Sequence, residues 1–144
     1  FISELFFLII ENKILDSSQD ILDNLYEKYH NQTTTIKDAR QKFNTVLSYI
    51  CALDIDFNVL KRLCWTTHLY SLFSLAWRLS TLKIPASTKK DRINSFYSEY
   101  FSRSTIYEGC LKKYKDAASS RTRSDTQRNN RLAALLEFCD VTTK

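Results

Sequence analysis

The chain is short of the residues that interrupt helices. One glycine, Gly109, and one proline, Pro85, serve all 144 residues. Sheet proteins need both at their many turns, so this shortage predicts an all-α fold whose helices are joined by polar turns. Methionine is missing altogether, and the chain begins on Phe1. The expectation is one helical domain over 1–144, a piece of a longer protein with further domains upstream.

Histidine is almost as scarce, with His30 and His68 alone. Cys51, Cys64, Cys110 and Cys139 stand far apart with no CxxC pair. Structural zinc sites need close ligand pairs, so no metal is expected. Each cysteine lies in apolar, helix-like sequence, where a free thiol acts as a small buried hydrophobe. Unpaired thiols suit a reducing, cytoplasmic compartment. The opening FISELFFLII carries Glu4 and lacks a basic flank, so it resembles neither a signal peptide nor a membrane anchor. The run from Leu63 to Trp77 is shorter than the roughly 18–20 residues that span a bilayer, so no membrane contact is expected. HExxH, GxxxxGK[ST], GxSxG and GxGxxG are all absent, and one glycine cannot build a phosphate-cradling loop. Neither a catalytic residue nor a cofactor is expected in this chain.

What is present is apolar residues at helical spacing. Ile21, Leu22, Leu25, Tyr26 and Tyr29 follow the cap chemistry of Asp16-Ser17-Ser18. Thr34 or Thr35 can cap a helix striped by Ala39, Phe43, Val46, Leu47, Ile50 and Cys51. The longest candidate runs from Phe57 to Leu82 and is apolar on most faces, which places it at the centre of a bundle of six or seven helices. Pro85 should end it. Ile93, Phe96, Tyr97, Tyr100 and Phe101 mark the next helix. Phe96, Tyr97, Tyr100 and Phe101 could stack nucleic-acid bases, but their spacing favours core. A helix over Ser104 to Ala117 follows, with Gly109 as its weak point. Last, Ser124 and Gln127 have capping-box spacing ahead of Leu132, Leu135, Leu136 and Cys139. His68 reads as a satisfied core histidine and His30 as a solvated one. Asp54 and Asp56 read as helix-capping turn residues.

Charge is unevenly spread. Residues 1–100 are close to neutral, whereas residues 101–131 hold eight basic and three acidic side chains. Lysines interleaved with Tyr107 and Tyr114, followed by a Ser/Thr-rich loop, form the electrostatic footprint of a phosphate-backbone contact. Lys112, Lys113, Lys115, Arg121 and Arg123 are the candidate nucleic-acid contacts. Arg128 and Arg131 instead extend the buried stripe of the last helix, because they precede Leu132 and Leu135 by one helical turn. An arginine pointed inward keeps its charge and must be paired. Internal salt bridges to Asp54, Asp56, Asp91 or Glu99 are expected of these two.

An opening FISELFFLIIENKILDSSQDILDNLYEKY, then KFNTVLSYICAL, then the aromatic HLYSLFSLAWRL lead to the closing YKDAASSRTRSDTQRNNRLAALLEF. This order resembles the helical portion of the GmrSD-type family, above all in the closing Tyr114, Lys115, Ala117, Ser119, Arg128 and Arg131. Members carry an amino-terminal ParB/sulfiredoxin-like domain with a DGQQR-type motif, associated with nucleotide-dependent DNA restriction and phage defence. This sequence contains neither that motif nor the histidine-rich nuclease motif of some members. The resemblance implies a helical companion to a nucleotide-dependent nuclease domain elsewhere in the parent chain. It carries no family catalytic residue onto any position here. The expected function is therefore a non-catalytic accessory domain that packs on a catalytic domain and helps contact DNA. The alternative is a protein-interaction or structural bundle, open to forming a homo-oligomer, whose apolar first helix needs a cover.

Overall fold

The computed structural model describes residues 1–142. Seven α-helices follow one another: α1 (Ile2–Glu11), α2 (Gln19–Tyr29), α3 (Thr33–Ala52), α4 (Thr66–Thr81), α5 (Ala86–Tyr100), α6 (Gly109–Ala117) and α7 (Asp125–Phe138). A 3-10 turn over Lys61–Cys64 precedes α4, and no strand occurs among the described residues. The chain is an all-α bundle.

The central helix is α4. Every residue from Tyr70 to Trp77 is buried, so the helix is enclosed on all sides, as its composition requires. It is shorter than the expected Phe57–Leu82. The carboxylate of Asp56 accepts the backbone N–H groups of Asn58 and Val59 at 3.0 and 3.2 Å, offering the chain a local turn in place of helix. Leu60 and Leu63 still reach the core from that turn, while Trp65, at the N-cap of α4, is exposed.

Helix ends show how the fold dispenses with glycine. Asn12, Asp54, Lys83 and Asp140 all take left-handed backbone conformations just past helices. Asn and Asp tolerate that region because their short polar side chains bond locally. After α4, the N–H of Ile84 bonds to the carbonyl of Leu79 and that of Lys83 to Ser80, both at 3.0 Å, closing a Schellman motif ahead of Pro85. Val141 and Asp140 repeat this pairing at the end of α7.

Other elements depart from expectation locally. The helix expected over Ser104–Ala117 begins only at Gly109, whose φ of 55° breaks any right-handed helix entering from Glu108. Gln32 rather than Thr34 or Thr35 stands at the N-cap of α3, and Leu47 on its expected stripe is exposed. Only Cys139 among the cysteines is buried. Cys51 and Cys64 are exposed and Cys110 is half-buried, because they fall on the outer sides of their helical segments. Ser124 does cap α7, its hydroxyl accepting the N–H of Gln127 at 3.3 Å. Phe96 packs edge-on against Tyr114 and Phe138, so the aromatics of α5 belong to the core.

Candidate anion site

The basic segment folds into α6, a loop and the first turns of α7. Its candidate phosphate contacts are not equivalent. Lys112 bonds to Asp116 one turn along the same helix at 3.0 Å. Lys113 bonds to Glu137 on α7 at 2.8 Å, which raises the lysine pKa and lowers that of the glutamate through hydrogen bond and charge. Lys115 sits over the Tyr107 ring, 4.0 Å from its centroid. Arg121 is exposed in the loop at a left-handed φ of 47°. Among the described residues, neither Lys115 nor Arg121 is ion-paired.

Arg123 turns the other way. Its Nη2 donates to Oε1 of Glu4 on α1 at 2.7 Å, while its outer surface stays exposed. Arg128 grips the second oxygen of the same carboxylate, donates to the Leu15 carbonyl at 2.8 Å, and lies over the Tyr70 ring at 3.9 Å. Burial works to raise the Glu4 pKa, but the hydrogen bonds and charges of Arg128 and Arg123 outweigh it and hold the carboxyl below its ordinary value. Glu4 is thus the counter-ion that joins the two ends of the chain. The expected partners Asp54, Asp56, Asp91 and Glu99 do not serve: Asp54 bonds to Lys90 and Asp56 caps its own turn. The sequence signal for Glu4 was available, since it is the one acid inside FISELFFLII.

Arg131 is different again. It is the largest wholly buried side chain, and no carboxylate among the described residues pairs with it. Its Nε donates to Ser71 Oγ, its Nη1 to the Ala117 carbonyl and its Nη2 to the Thr122 carbonyl, each at 2.8 Å. The expected salt bridge is therefore replaced by a neutral cage that ties the end of α6 and its loop to α4 and α7. Burial pulls the Arg131 pKa down from the usual arginine value. The charge nevertheless stays, because a guanidinium does not lose its proton in proteins.

These three arginines border one open cleft of about 280 Å³. Glu4 is the one acidic side chain among its lining residues, and Thr66, Thr67 and Tyr70 of α4 also border it. Thr66 and Thr67 begin that helix, where backbone N–H groups lack helical acceptors and the dipole favours negative charge. On the same helix, His68 pairs its Nδ1 with the Tyr114 hydroxyl at 3.0 Å. Burial, with Arg131 and Arg62 adding, pushes its pKa down to about 4, so the ring is neutral at physiological pH. Among the described residues, no group of three or more His, Cys, Asp or Glu side chains is arranged to hold a metal, and no helix is long and apolar enough to cross a membrane. Neither family models, curated proteins nor solved structures offer a match to this chain.

Proposed function

We propose that this chain is a non-catalytic helical accessory domain that contributes sequence-independent contacts to a nucleic-acid backbone. The observation that carries this reading is the concentration of positive charge in residues 101–131, of which Lys112, Lys113, Lys115 and Arg121 are exposed on α6 and the loop after it. Glu137 and Glu4, from outside that segment, take up part of the charge, so Lys115 and Arg121 become the leading contacts. The pairs made by Lys112 and Lys113 are exposed, and exposed pairs contribute little and exchange readily. Phosphate contacts carry no base information, so binding should be indifferent to sequence and sensitive to salt. Placement beside a separate nuclease domain of a restriction or defence protein rests on the GmrSD-type resemblance alone.

The test is duplex binding by the whole chain across a salt series. The variant replaces Lys112, Lys113, Lys115 and Arg121 with glutamine. Two released counterions predict a log–log slope of about −2 for the wild type, flattened in the variant. Identical, salt-insensitive curves would end the DNA reading.

A second reading has its own observation. Between α1 and α2 runs an open, apolar groove of about 260 Å³, bordered by Ile2, Phe6, Ile10, Tyr26 and Ile36. Several of these side chains are exposed although large and apolar, which favours a protein-interaction bundle.

A further inference from the structure

We propose that the cleft between the start of α4 and the arginines of α7 is a binding site for a phosphoryl group. The reasoning begins with charge. Arg123, Arg128 and Arg131 face Glu4 alone, so the cleft walls carry a surplus of positive charge. Arg131 holds that surplus most tightly, since it is wholly buried and bonded only to neutral oxygens. A buried cation without a counter-ion is costly, and an anion in the adjoining space would offset that cost.

The donors suit phosphate. The exposed Arg123 guanidinium is the direct donor, its fork matching a tetrahedral oxyanion in paired hydrogen bonds, while Arg128 and Arg131, already bonded to Glu4 and Leu15 and to Ser71, Ala117 and Thr122, contribute charge from behind it. The first turn of α4, where Thr66 and Thr67 border the cleft, adds backbone N–H groups and two hydroxyls. Arg123 is the movable member, with 66% of its side chain exposed, and can leave Glu4 to Arg128 and swing onto a ligand. At about 280 Å³ the open cleft has room for a phosphoryl group. Free phosphate and the terminal phosphate of a nucleic-acid strand share the required chemistry. This site involves Arg128 and Arg131, which the backbone-contact reading does not use, so either proposal can fail without the other.

Thermal unfolding of the full chain in inorganic phosphate, against sodium chloride of equal ionic strength, tests the site. At about ten times its dissociation constant, phosphate should raise Tm by roughly 3–6 °C over chloride. Arg123→Gln, at an exposed position, should lose most of that rise. Lys42→Gln, which opens an exposed pair within α3, should keep it. No excess over chloride overturns the proposal, and so does an undiminished rise in Arg123→Gln. Competition by oligonucleotides with and without a 5′-phosphate then separates the sources. Displacement by the phosphorylated strand alone identifies a strand end, and displacement by neither identifies the free ion.

Discussion

Glu4 holds Arg123 and Arg128 from a position 119 and 124 residues away in sequence. Removing it leaves the Arg128 charge buried against Tyr70 with only the Leu15 carbonyl as a polar partner. Breaking a buried pair in this way costs about 3–5 kcal/mol. Glu4→Ala should therefore show a much lower urea midpoint, whereas Lys42→Gln should barely move it. His68 imposes a pH dependence of its own. The unfolded chain takes up its proton near 6.5, but the fold resists protonation until about 4. Stability from this group is complete above pH 6.5 and is lost as pH falls toward 4, reaching a loss of about 2 kcal/mol at pH 5. Glu4, with its lowered pKa, acts in the same direction at lower pH. Unfolding free energies at pH 7 and pH 5 should differ less in His68→Phe than in the wild type. Equal differences would show that the histidine does not report its burial.

At the scale of elements, the loop ends of helices hold most of the local compromise. Lys83 adopts a φ of 57° with neither the freedom of glycine nor the short polar side chain of Asn or Asp. A β-carbon in that region costs about 1 kcal/mol. Lys83→Gly should therefore raise Tm, with the Schellman bonds unchanged and no effect on ligand binding. A lower Tm would mean that the glycine's greater freedom in the unfolded chain outweighs the relieved strain. The α5 aromatics illustrate the opposite case, where pattern and packing agree. Phe96, Tyr97 and Tyr100 recur at helical spacing and are all buried.

Across the whole molecule, a well-packed half built on α4, α5, α6 and α7 contrasts with the lighter seat of α2. No residue of α2 is buried, and its tyrosines meet α1 chiefly through Phe7 and Glu11. The apolar groove beside it makes a concrete prediction about assembly. If that groove is an interaction surface used by a second copy, sedimentation velocity should show a concentration-dependent dimer that Ile2→Lys weakens. A monomer at every concentration would remove self-association from the interaction reading.

The all-α class, the central apolar helix and the α7 cap were legible in the sequence because they depend on local spacing, turn chemistry and the rarity of glycine and proline. The inward direction of Arg128 and Arg131 was legible for the same reason, since both lie one turn before leucines of the buried stripe. Their partners were not. An ion pair between the first helix and the last, and a guanidinium caged by Ser71, Ala117 and Thr122, join residues whose separation in sequence has no periodic signature. Nor could spacing reveal that Asp56 would turn the chain away from helix before Thr66. Local sequence determined which segments coil and which sides face inward. Only packing decided which charges meet, because that depends on distances between helices that the chain order leaves open.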